Sequence, residues 1–121
     1  REAEEKFYAW GVYEGLEAAS VLEDEIKATG GDEELLNEIF ASLEEKWIET
    51  DWWAYDVLPE IRKAAGFVDI LGYGTYTGCP DEDPECVIID ENLERLLDRF
   101  LEGAYHGFLK GAEEILGRPI A

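Results

Sequence analysis

Gly103-Ala104-Tyr105-His106-Gly107-Phe108-Leu109-Lys110-Gly111 places glycine at every fourth position inside a stretch that otherwise reads as helix. A shorter counterpart, Gly11-Val12-Tyr13-Glu14-Gly15, stands near the start of the chain. Glycine within a helix costs about 1 kcal/mol relative to alanine, so these positions forfeit roughly 4–5 kcal/mol of intrinsic helicity. Gly15, Gly107 and Gly111 fall on apolar stripes and not on polar faces, so something must approach those backbones closely. Two readings remain open. One is tight helix–helix packing, within one chain or across a dimer; the other is room for a small ligand walled by aromatic rings. Trp10, Tyr13, Gly15, Phe100, Gly107, Phe108 and Gly111 are the residues expected to form that packing face or pocket.

The surrounding sequence is helical in pattern. Tyr8, Val12, Gly15, Ala19, Leu22 and Ile26 share one face of a helix expected over residues 2–29. Gly30 and Gly31 stop it, and Asp32 is a good N-cap for a second helix carrying Leu36, Ile39, Phe40, Leu43 and Trp47 on one stripe. Asp51 to Tyr55 is expected to continue as helix or to re-cap at Thr50 or Asp51. Pro59 disfavours helical geometry at Leu58 and suits the first turn of a short helix ending at Gly66. A last helix is expected from Asp90 or Asn92 to Leu116, stopped by Gly117 and Pro119. His106, the single histidine, projects from it with Arg99, Glu102 and Lys110, away from Leu97, Phe100, Ala104 and Phe108. It has no nucleophile beside it in sequence and reads as a surface or interface residue.

Between the short helix and the last one the pattern changes. Phe67 to Thr77 is rich in β-branched and aromatic residues, and Cys86-Val87-Ile88-Ile89 reads as a second strand. The two-proline turn Pro80 to Glu85 joins them into a hairpin. Cys79 and Cys86 flank that turn and could form a disulfide, remain free thiols, or ligate a metal with further residues. A bridge would imply export or a thermophilic cytoplasm. Asp81, Asp83 and Glu85 alternate like the first ligands of a calcium-binding loop. Cys86 stands where that loop needs glycine, and Asn92 where it needs a bidentate glutamate, so only weak cation binding is expected there.

Charge narrows the partners. Thirty acidic residues face ten basic ones, for a formal net charge of −20. Such a field repels nucleic-acid backbones and anionic membrane surfaces, both of which bind through Lys and Arg. No apolar run approaches the ~18 residues of a membrane helix. With 46% hydrophobic residues, the 121-residue chain is expected to fold as a single domain, 1–121, around its own core. The sequence opens at Arg1 and lacks methionine, which reads as a removed leader or a trimmed start.

Residues 106–120, His-Gly-Phe-Leu-Lys-Gly-Ala-Glu-Glu-Ile-Leu-Gly-Arg-Pro-Ile, resemble the helix of 4-vinyl reductase-like domains, which often reads Gly-aromatic-Leu-x-Gly-Ala and ends in Leu-Gly-Arg. Phe7 to Gly15 looks like that family's opening helix with its paired glycines, and Ala65 to Gly74 sits where the family passes from helix into hairpin. The resemblance implies a dimerising α+β domain that binds small apolar molecules. The family's cysteine before the Gly-aromatic helix has no counterpart here, so its metal binding is not implied.

The fold expected is therefore mainly α within an α+β frame: three to four helices packed with one β-hairpin. The function expected is non-enzymatic binding or sensing of a small apolar ligand, in a homodimer formed through glycine-faced helices. No cofactor is specified by the sequence. The alternative is an exported acidic interaction protein whose disulfide-clasped hairpin presents carboxylates to a cationic partner or to metal ions.

Overall fold

The computed structural model describes residues 2–65 and 84–119. Among these the fold is all-α, with five α-helices and no strand: α1 Glu2–Val21, α2 Glu23–Thr29, α3 Glu33–Glu49, α4 Leu58–Ala65 and α5 Pro84–Leu116. A π-helical turn, Trp53–Val57, leads directly into α4.

Local chemistry sets the boundaries. The first helix bends at Leu22 into α2, with Leu22 N–H still donating to Ala18 O and Ile26 N–H to Leu22 O. Gly30 then closes α2 in the left-handed region at φ 65°, a conformation that other L-residues reach only at a cost. The Asp32 carboxylate accepts from Leu35 N–H at 3.3 Å and caps α3, as the sequence leads one to expect. Thr50 ends α3, and its hydroxyl accepts from Trp53 N–H at 3.3 Å, re-capping the chain.

Leu58 is helical, φ −58° and ψ −43°, despite the proline that follows. The expected break is replaced by a π turn in which Leu58 N–H donates to Trp53 O. Its benefit is register. Trp53, Val57, Ile61 and Ala65 are all buried at intervals of four residues. In an unbroken α-helix each such step drifts about 40° around the axis; one wider turn takes up part of that drift and keeps the four on the core.

The expected second strand, Cys86 to Ile89, lies inside α5. Its β-branched residues favour strand only weakly, by a few tenths of a kcal/mol each. Pro84 at the first helical position, where its missing N–H costs nothing, starts the helix instead. The last helix thus begins six residues before Asp90, and it ends at Leu116 as expected, with Gly117 at φ 70°. The expected first strand and the acidic residues Asp81 and Asp83 lie outside the described residues, as does Cys79 and hence the pairing of Cys79 with Cys86.

At the centre of the fold, α1 and α5 lie side by side and run in the same direction. Adding a Cβ to Gly103 would drive it into the Tyr8 carbonyl, at Gly107 into that of Val12, at Gly11 into that of Phe100 and at Gly15 into that of Ala104. Four glycines thus bring two helix backbones into direct contact. Farther along the seam, a Cβ on Gly111 would meet the Ala19 methyl at 2.6 Å. Small residues at four-residue spacing on both helices are what such close approach needs. The approach also brings Cα–H groups near carbonyl oxygens, a weak but repeated attraction.

Around this seam the core divides in two. At one end Phe7, Leu96 and Phe100 meet Trp53, Val57, Ile61 and Ala65. At the other, Ala19, Ala104, Phe108 and Ala112 meet Ile26, Leu36 and Phe40. Trp47 packs against both clusters and spans the gap between them. Polar contacts close the edges. Arg95 pairs with Glu4 at 2.7 Å, the Tyr105 hydroxyl donates to Asn37 Oδ1 at 2.6 Å, and Arg118 donates to Gly30 O.

Candidate functional site

The residues that the sequence singles out do not line one cavity. Phe100 and Phe108 are fully buried core residues. Phe100 is ringed by Trp10, Trp53 and Trp47, with centroids 5.5, 5.6 and 6.4 Å away in edge-on geometry, an arrangement worth about 0.5–1.5 kcal/mol per pair beyond simple burial. Trp10 is half-buried and stacks on Phe7 at 6.1 Å. Gly15 and Gly107 are filled by backbone of the same chain, so the space they leave belongs to the seam. Tyr13 points outward and is 59% exposed. Gly111 faces Ala19 and also lines a shallow groove with Leu16, Ser20, Lys27, Lys110 and Ile115.

His106 is exposed, with Nδ1 2.8 Å from the Tyr8 hydroxyl. The Arg99 guanidinium lies 4.5 Å above the Tyr8 ring and pairs with Glu102 at 2.8 Å. This cluster ties α1 to α5 at the surface and encloses no space for a substrate. Among the described residues no group of three or more His, Asp or Glu is placed to hold a metal ion, and no helix is long and apolar enough to cross a membrane.

Two further grooves border α3. A groove of about 420 Å³ opens between the end of α1 and the second half of α3. Ala18, Val21, Leu22, Leu43 and Trp47 form its apolar walls, and Glu14, Glu17 and Lys46 its polar margin. Val21, the last residue of α1, is 81% exposed, an apolar side chain with nothing over it among the described residues. Val21 stands just before the bend at Leu22, after which α2 packs on α3 through Ile26, Leu36 and Phe40.

Glu14 stands at the groove's polar margin. Partial burial pushes its carboxyl above the usual range, repulsion from Glu17 adds to that, and the nearby Trp10 indole N–H works in the opposite sense. On the other side of α3, a groove of about 440 Å³ runs along α5 past Asn37, Phe40, Ala41, Leu101, Glu102 and Tyr105. Glu44 lines it, and burial alone raises its carboxyl.

Of these grooves' residues, the sequence marks Leu22, Leu43 and Trp47 as stripe positions only. Val21 was missed altogether. Its signal is the adjacent pair Val21-Leu22, two apolar residues in succession where a single stripe accommodates one.

Among the described residues the fold is all-helical, with open grooves between its helices. No protein-family model, curated protein or solved structure gives a significant match to the chain.

Proposed function

We propose that this chain is a non-enzymatic domain that binds a small apolar ligand in the groove between α1 and α3. The observation that carries this reading is the uncovered apolar wall: Val21, Ala18, Leu22, Leu43 and Trp47 surround a space of about 420 Å³, within the size range of small-molecule sites. Ligand sites of that kind combine apolar walls with a few polar groups at one end, as Glu14, Glu17 and Lys46 do here. The resemblance of residues 7–15 and 106–120 to 4-vinyl reductase-like domains points toward small apolar ligands as well. Dimerisation through the glycine faces does not enter the proposal, because α1 and α5 occupy those faces with each other.

Trp47 makes the reading testable. Hexan-1-ol, as a neutral probe, should change tryptophan fluorescence saturably in the intact chain, and Val21→Asp should weaken that response at least tenfold while leaving the far-UV circular dichroism unchanged. A linear, unsaturable response, or one that Val21→Asp leaves intact, would contradict the proposal.

A further inference from the structure

From the groove's charge we infer the class of its ligand: a small organic cation, an ammonium carried on an apolar body, held with its charge between Glu14 and Glu17 and its body against Val21, Leu22, Leu43 and Trp47. This inference rests on the binding role proposed above and adds the head-group chemistry to it.

Three observations support it. Glu14 and Glu17 are three residues apart on α1, which places both carboxylates on one side of the helix, at the same margin of the same groove. They repel one another, and partial burial weakens the hydration that would otherwise relieve the repulsion. A cation seated between them removes both penalties at once. The third observation concerns the neighbours. The nearby Trp10 indole N–H offsets only part of what raises the Glu14 carboxyl. Lys46 also lines the groove, yet it takes no part in the ion pairs Lys27–Glu23, Arg95–Glu4 and Arg99–Glu102. Two carboxylates against one lysine leave the groove with a local excess of negative charge. Trp47, on the apolar wall of the same groove, offers contact area to the ligand's body.

An anionic or neutral amphiphile fits less well. A carboxylate head would face two like charges, and an alcohol would leave the Glu14–Glu17 repulsion in place. The net charge of −20 enriches cations around the whole surface, so the test must separate that general field from the local pair.

Hexylammonium, hexan-1-ol and hexanoate share one apolar chain and differ in the head. Titrated against the intact chain at about 0.15 M salt, where charges beyond roughly 8 Å are screened, hexylammonium should bind about tenfold more tightly than hexan-1-ol, and hexanoate most weakly. The double substitution Glu14→Gln with Glu17→Gln should abolish the preference for hexylammonium over hexan-1-ol. Glu33→Gln with Glu34→Gln, an equal loss of charge at the far end of α3, should preserve the preference. Lys46→Gln should increase it.

Equal loss of preference in both double variants would assign the effect to the general field and overturn the inference. Equal binding of hexylammonium and hexan-1-ol to the intact chain would overturn it too, while leaving the groove as an apolar site. Failure of all three probes to bind would remove the proposed binding role itself.

Discussion

The two sides of α5 are built on opposite principles. Toward α1 it presents Gly103, Gly107 and Gly111, and the neighbouring helix comes in until backbone touches backbone. Toward α3 it presents Tyr105 and Phe108, which meet Phe40 at ring-centroid distances of 5.1 and 5.7 Å and hold the helices apart. The glycines leave no gap between the two backbones, and the ring-propped side leaves grooves along its edges. A residue that looks unusual in sequence can therefore mark close packing. Helix propensity is given up at the seam, and α1 and α5 make there the most extensive helix contact among the described residues.

This contrast can be broken most severely at Gly107. Leucine there would have to displace the Val12 backbone, and Gly107→Leu is expected to prevent folding altogether, seen as loss of a cooperative thermal transition. The ring-propped side should fail more gently. Phe108→Ala removes a fully buried ring and should cost about 3–5 kcal/mol in urea unfolding, with the fold retained if the native stability exceeds that amount.

A reciprocal exchange sharpens the comparison. Gly111→Ala would set a methyl 2.6 Å from the Ala19 methyl, and overpacking of this kind costs about 1–3 kcal/mol. Ala19→Gly in the same chain should recover most of the loss, because the pair then again holds one methyl. No recovery would mean that the seam does not pair these two residues.

Smaller effects are expected from the carboxylates at the groove edges. Glu14 and Glu44 have carboxyls raised above the ordinary glutamate range, each first by burial. The folded state therefore takes up protons at a higher pH than the unfolded state does. The stability linked to that uptake is present in full below the unfolded value and is lost as pH rises through the raised one. Glu44→Gln should accordingly raise the urea midpoint at pH 7 and make little difference near pH 4. A midpoint lowered at pH 7 would show that the carboxylate has a stabilising partner. Smallest of all, Val21→Asp should change stability by less than about 0.5 kcal/mol, as exposed substitutions usually do, and its effect should appear in ligand binding alone.

Much of the framework is legible in the sequence, for identifiable reasons. Asp32, Thr50, Gly30 and Gly117 act locally, through caps and left-handed turns, and such signals do not depend on distant partners. The burial of Gly15, Gly107 and Gly111 also follows from their stripe positions. What meets them does not, because a glycine records that a backbone comes close and not whose backbone it is. Here the partner is the other end of the same chain, a parallel neighbour that only the whole intervening sequence can deliver. Cys86 to Ile89 shows the weakness of short propensity signals: a few β-branched residues do not outweigh a proline start and a long continuous helix. The groove is least visible in the sequence, since it joins residues of α1 and α3 that no shared local signal links.

The most direct test of this division between seam and groove is a map of backbone amide shifts by nuclear magnetic resonance as hexylammonium is added. The account predicts saturable shifts clustered at residues 14–22 and 43–47, with Gly11, Gly103 and Gly107 unmoved. Shifts concentrated along those glycines, or spread evenly over the acidic surface without saturation, would contradict it.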